Sequence, residues 1–116
     1  MQTEQLCQLI LKALEDLKAK DIVVLDVTAL TQITDYMIIC SGTSNRHVKS
    51  IADNVITEAK QNKACFIGME GEDTGEWVLV DLDDAIVHIM LPKVREFYQL
   101  EKLWDIKPEQ TIANEE

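Results

Sequence analysis

The stretch Asp35-Tyr36-Met37-Ile38-Ile39-Cys40-Ser41-Gly42-Thr43-Ser44-Asn45-Arg46-His47-Val48 narrows the possible folds of this chain more than any other. An apolar run stops at a glycine-containing turn, and a helix pattern starts at once. Ser44 suits the N-cap, because its hydroxyl can accept hydrogen bonds from the orphan N–H groups of the first helical turn. Val48, Ile51, Ala52, Val55, Ile56 and Ala59 then recur at the spacing of one helix face. A strand running through a tight turn into an amphipathic helix belongs to an α/β sheet. It presents Thr43, Ser44, Arg46 and His47 at the strand end, where such sheets commonly place ligand sites.

The remaining elements follow from periodicity. Leu6, Leu9, Ile10, Ala13, Leu14 and Leu17 predict a first helix from Thr3 to about Lys20. Ile22 to Val27 is β-branched and reads as a buried strand, followed by a second at Tyr36 to Ser41. The helix from Ser44 to about Asn62 leads to a short strand expected over Ala64 to Ile67. A loop rich in glycine and acid, Gly68 to Gly75, precedes a strand from Glu76 to Leu82. Asp83-Asp84 then turns the chain into a strand from Ala85 to Leu91. Pro92 suits the first position of a last helix, expected to reach about Trp104.

The segment from Tyr36 to Ile67 should be a right-handed crossover with parallel strands. The strands flanking Asp83-Asp84 should form an antiparallel hairpin. The expectation is thus one α/β domain over residues 1–104, a mixed five-stranded sheet with three helices, and an acidic tail over 105–116 without regular structure. Three helices are few for both faces of five strands, so one sheet face should stay partly open.

Charge limits the partners. The chain has 116 residues, 47% of them apolar, which excludes wholesale disorder, and a formal net charge of -10. Such a charge argues against nucleic acid, whose recognition rests on Lys and Arg neutralising phosphates. Glu70, Glu72, Asp73, Glu76, Asp81, Asp83 and Asp84 fall between Gly68 and Ala85, with no Lys or Arg among them. The cluster fits either a solvated loop and hairpin or a surface for a basic protein.

Cys7, Cys40 and Cys65 form no C-x-x-C and no zinc spacing, and each lies in an apolar segment. They read as buried thiols of a reducing compartment. No signal-peptide pattern opens the chain, and no apolar run approaches 18 residues. A soluble, cytoplasmic protein is expected.

Alternation places Ile86, His88 and Met90 on one side of a strand, with Trp77, Leu79 and Asp81 alternating likewise. A wholly buried face would favour an apolar residue at position 88, so the side bearing His88 is expected to be the less covered one. Trp77 and Met90 there are candidate binding anchors, and core packing of Trp77 is the competing account. In the last helix Val94, Phe97, Tyr98, Leu100, Leu103 and Trp104 form a stripe that docks onto the sheet, with Tyr98 and Arg95 at its border.

Three blocks together carry a specific resemblance. The first is Asp35 to Ile39 with Ser41-Gly42-Thr43-Ser44, Arg46-His47-Val48 and Ile51-Ala52. The second is Glu76 to Leu82 with Val87 to Met90, and the third is Arg95 to Trp104. They resemble the ribosomal silencing factor family, also called Iojap. The resemblance implies a nucleotidyltransferase-like fold without demonstrated transferase chemistry; no cofactor or metal is expected, because no carboxylate pair lies next to the Ser41–Ser44 turn. It also implies binding to ribosomal protein fourteen of the large subunit, which obstructs joining of the small subunit when nutrients fail. The expected partner-binding residues are Trp77, Asp81, His88, Met90 and Tyr98, with Thr43, Arg46, His47 and Arg95 as further surface contacts. One departure is Asp83, where the family commonly has glycine before Asp84. Off the ribosome, an open apolar face could also pair with a second copy.

The competing reading is a nucleotidyltransferase-like enzyme with a nucleotide at the Ser41–Ser44 turn, since helix N-termini bind anions. The turn is neither a P-loop nor a G-x-G-x-x-G fingerprint. The chemistry also needs paired carboxylates soon after the turn. The nearest strand pair is Asp81 and Asp83, a whole helix and strand later. Asp81, Asp83 and Asp84 suit a hard cation in principle, but Asp83-Asp84 equally suits the hairpin turn.

Overall fold

The stripe of the first helix is realised in α1 (Thr3–Asp16), which buries Leu6, Ile10, Ala13 and Leu14. That of the second is realised in α2 (Asn45–Gln61), which buries Val48, Ile51, Ala52, Val55 and Ala59. The structure is a computed structural model that describes residues 2–98. Its strands are β1 (Lys20–Asp26), β2 (Tyr36–Ser41), β3 (Gly68–Glu70), β4 (Trp77–Asp81) and β5 (Ala85–Met90), followed by α3 (Pro92–Tyr98). The expected extension of the last helix to Trp104 and the acidic tail lie outside the described residues.

The five strands form one mixed sheet in the order β1-β2-β5-β4-β3. β2 and β5 are parallel, and the other three pairings are antiparallel. β2 and β3 therefore run in the same direction, as the crossover requires, with β5 and β4 between them. The hairpin expected around Asp83-Asp84 is present, pairing Trp77 with Met90 and Asp81 with Ile86.

The first helix ends earlier than expected and the second ends beside the expected Asn62, and both are closed in the same way. Lys18 and Lys63 adopt left-handed backbone, with φ of 61° and 60°. The N–H of Ala19 donates to Leu14 and that of Lys18 to Glu15; in α2 the N–H of Ala64 donates to Ala59 and that of Lys63 to Lys60. Each is a Schellman motif, which satisfies the last carbonyls and turns the chain out of the helix. The first helix thus stops at Asp16 rather than Lys20, and β1 begins two residues before Ile22.

The third strand also departs from expectation. After α2, residues 64–67 cross from the helix layer to the sheet edge without forming a strand. Pairing with β4 begins only where the Ile67 N–H donates to the Asp81 carbonyl, and the ladder then runs over Gly68–Glu70. Cys65, on this connector, is exposed rather than buried, and Cys7 is half-buried. Cys40 alone is fully enclosed, and burial pushes its thiol up to about 12.

The core has two parts, one on each sheet face. α1 and α2 pack with Ile38, Cys40, Val78, Val80, Val87 and Ile89 into the larger cluster. The smaller joins Leu25, Val27, Met37, Ile39 and Met90, with Val23, Trp77 and Val94 packed against it. Each large aliphatic side chain enclosed in this way contributes about 1.5–3 kcal/mol.

Candidate functional site

The turn after β2 is a closed structural joint. The Gly42 N–H donates to the Met90 carbonyl, and the Thr43 N–H donates to His47 Nδ1 at 2.9 Å. Ser44 caps α2 as expected, its hydroxyl accepting from the His47 N–H at 3.1 Å. With Nδ1 accepting, His47 donates through Nε2 to the Leu17 carbonyl at 2.6 Å, which ties the end of α1 to the start of α2. A β-carbon on Gly42 would approach Val48 Cγ2 to 2.7 Å, so glycine lets the helix begin this close to the strand. The N–H groups that a phosphate cradle would offer at Gly42 and Thr43 are therefore engaged within the chain.

Of the further surface contacts expected here, Thr43 and Arg46 are exposed and His47 is half-buried at the joint. Arg95 holds α3 against the sheet, its Nη1 donating to the Asp21 carbonyl at 2.6 Å and to Ser41 Oγ at 3.1 Å. The side chain of Tyr98 lies outside the described residues.

The hairpin face is built by strand alternation. Cross-strand register sets Trp77 beside Met90, Leu79 beside His88 and Asp81 beside Ile86. On the far side of β5, Ile39 is beside His88 and Met37 beside Ile86. These residues share the face opposite α1 and α2, as the sequence implies. Their depths differ from expectation. Met90 has no accessible surface and His88 only 6%: Met90 packs with Leu25, Val27, Met37 and Ile39, with Trp77 and Val94 against them, and the Trp77 indole bonds to His88. Met90 is thus not an exposed anchor, and His88 is part of the floor. The half-buried residues are Trp77, Leu79 and Asp81 along β4, with Ile86 across from Asp81. Leu79 and Ile86 share the alternation of the expected site residues and add to its accessible apolar surface.

Two local bonds organise this face. The indole Nε1–H of Trp77 donates to His88 Nδ1 at 3.0 Å, with ring centroids 5.9 Å apart. Burial holds His88 down to about 4, so the ring is neutral and can accept through Nδ1. Asp81 Oδ1 accepts from the Asp83 N–H at 2.9 Å. That bond steadies the turn, where Asp83 has φ of 71°, a geometry that explains why glycine is favoured there and why aspartate is tolerated.

The acidic loop is fastened to the start of α2, on the helix-bearing side of the sheet. Asn45 Nδ2 donates to the Thr74 carbonyl at 2.6 Å and Lys49 Nζ to the Asp73 carbonyl at 3.3 Å. These bonds use main-chain oxygens and leave the carboxylates unneutralised. Among the described residues, none of the seven acids from Glu70 to Asp84 forms an ion pair. Groups of three or more His, Cys, Asp or Glu placed to hold a metal are likewise absent among the described residues.

A mixed five-stranded sheet with two long helices on one face, and a short helix crossing to the other, makes this an α/β protein whose candidate site is a surface rather than a cleft. The chain belongs to the ribosomal silencing factor family: the family described as "Ribosomal silencing factor during starvation" matches residues 1–116. A ribosomal silencing factor from Haemophilus influenzae is 52% identical over 99 residues, covering 85% of this chain and 97% of that one. A mouse protein named "Mitochondrial assembly of ribosomal large subunit protein 1" is 38% identical over 92 residues, covering 77% of this chain and 40% of that one. The crystal structure of a Chromobacterium violaceum protein matches with a TM-score of 0.89 at 43% identity, covering 97% of this chain and 95% of that one.

Proposed function

We propose that this protein binds the large ribosomal subunit through ribosomal protein fourteen and sterically blocks joining of the small subunit, repressing translation in the cytoplasm when nutrients are limiting. The observation that carries this reading is the apolar strip of Trp77, Leu79 and Ile86 with Asp81 in the same row, in a segment whose seven acids, Asp81 among them, have no ion-pair partner among the described residues. A basic protein surface complements both features. A half-buried Trp supplies area for a central anchor, and the carboxylates steer association and reject acidic surfaces. Membership of a family named for ribosomal silencing, and a mouse relative named for the large subunit, support the same partner class. A net charge of -10 favours protein over RNA as the direct contact. The role needs no nucleotide, metal or catalysis, and the engaged N–H groups at Gly42 and Thr43 fit that view. Off the ribosome, a second copy competes for the same strip.

The test is co-sedimentation with purified large subunits and a subunit-joining assay. Trp77→Ala, confirmed folded by circular dichroism, should weaken binding at least thirtyfold, about 2 kcal/mol. Asp81→Asn removes the charge and keeps an oxygen for the Asp83 N–H, so it should slow association and flatten its salt dependence without disturbing the turn. Wild-type binding and blocking by folded Trp77→Ala would sink the proposal.

A further inference from the structure

The Trp77–His88 bond carries an inference of its own. Tryptophan has a single donor, Nε1–H, and no acceptor. Here that donor points into the protein, to Nδ1 of a histidine that is 6% exposed. Acceptance at Nδ1 fixes the tautomer with the proton on Nε2. The two residues are diagonal neighbours on adjacent strands, since Trp77 pairs with Met90 and His88 with Leu79. A rigid floor thus reaches up to the half-buried ring and sets its tilt, 49° to the imidazole.

We propose that His88 is the positioning residue of the binding face: it locks the Trp77 indole in one orientation before the partner arrives and consumes the indole donor, so the partner meets an apolar ring rather than a hydrogen-bonding group. This rests on the proposed function, in which Trp77 is the anchor. A pre-set aromatic loses little side-chain freedom on binding, which is how preorganisation raises affinity. With its donor occupied, the indole recognises through its face and edge. The side chain received there is an aliphatic stem or a cation, such as that of Lys or Arg on a basic protein, and needs no acceptor. The histidine acts through Trp77 and needs no contact with the partner, which reconciles its burial with a place in the site.

The experiment follows the Trp77 indole N–H by NMR, assigned by its loss in Trp77→Phe, alongside binding to purified large subunits. In the wild type the resonance should be shifted downfield and exchange with solvent at least tenfold slower than an exposed indole. Exchange at the exposed rate would overturn the proposal without any variant. His88→Leu removes the acceptor; it should move the resonance upfield, abolish the protection and weaken subunit binding about tenfold. His88→Asn places Oδ1 near the position of Nδ1 and should restore both, which mere filling of space would not. If folded His88→Leu loses the protection yet binds as the wild type while Trp77→Ala does not, His88 has no positioning role and the interface reading stands. If Trp77→Ala also binds as the wild type, the interface reading falls and the positioning role falls with it.

Discussion

Gly71 lies so close to the start of β4 that a β-carbon on it would sit 2.1 Å from the Trp77 carbonyl oxygen. Its φ of 88° is likewise open to glycine and strained for other residues. The loop therefore folds back over the backbone of the residue proposed as the anchor. Gly71→Ala should cost about 2 kcal/mol or more in urea unfolding, because clash and strain add. It should also weaken large-subunit binding, since relief of the clash requires Trp77 to move. Unchanged stability would show that the loop is free to shift away.

Stability should fall in mild acid because of His88. Its folded-state value is lowered from 6.5 to about 4 by burial. In that window the unfolded chain binds a proton that the folded chain refuses, so stability declines as pH drops from about 6.5 to 4. The loss attributable to this residue is about 3 kcal/mol. Asp26 acts in a separate, lower window: hydrogen bonds from Thr28 hold its carboxyl below 3.8, and that contribution disappears only as pH falls through the lowered value. Denaturation midpoints at a series of pH values should show the 6.5-to-4 slope in the wild type and a shallower one in His88→Asn.

Ser44→Ala should separate stability from binding. The lost cap to the His47 N–H costs about 1 kcal/mol. Affinity for large subunits should stay within twofold, because the Ser44 hydroxyl serves the His47 N–H rather than any residue of the Trp77 strip. A large loss of affinity at unchanged stability would place the turn in the interface.

Lys63→Gly should stabilise the protein by roughly 0.5–1 kcal/mol. Lysine at φ of 60° bears a strain that glycine does not, and relief of it exceeds the extra freedom glycine gains when unfolded. Thermal unfolding reads this as a higher midpoint, and a lower one would mean that the lysine side chain stabilises the helix end.

Local patterning along the sequence was sufficient for both long helices, the hairpin around Asp83-Asp84, the Ser44 cap and the side of the sheet on which Trp77, Asp81, His88 and Met90 lie. Each depends on residues a few positions apart, where spacing and capping chemistry act directly. Depth is another matter. Alternation assigns a face, whereas burial depends on which strands lie alongside, and the pairing of β2 with β5 joins segments more than forty residues apart. That pairing places β5 inside the sheet, where Met90 joins a cluster covered by Trp77 and Val94 and His88 meets the Trp77 indole, while Ile86 on the same strand stays half-buried with Trp77, Leu79 and Asp81. The third strand starts later than its apolar pattern implies for a related reason. Apolar residues 64–67 look like a strand, but the turn at Lys63 requires a crossing before any partner is in reach, so the ladder starts at Gly68. The bond from Trp77 to His88 likewise joins neighbouring strands, so the sequence alone determined its two residue types and the tertiary structure decided that they meet.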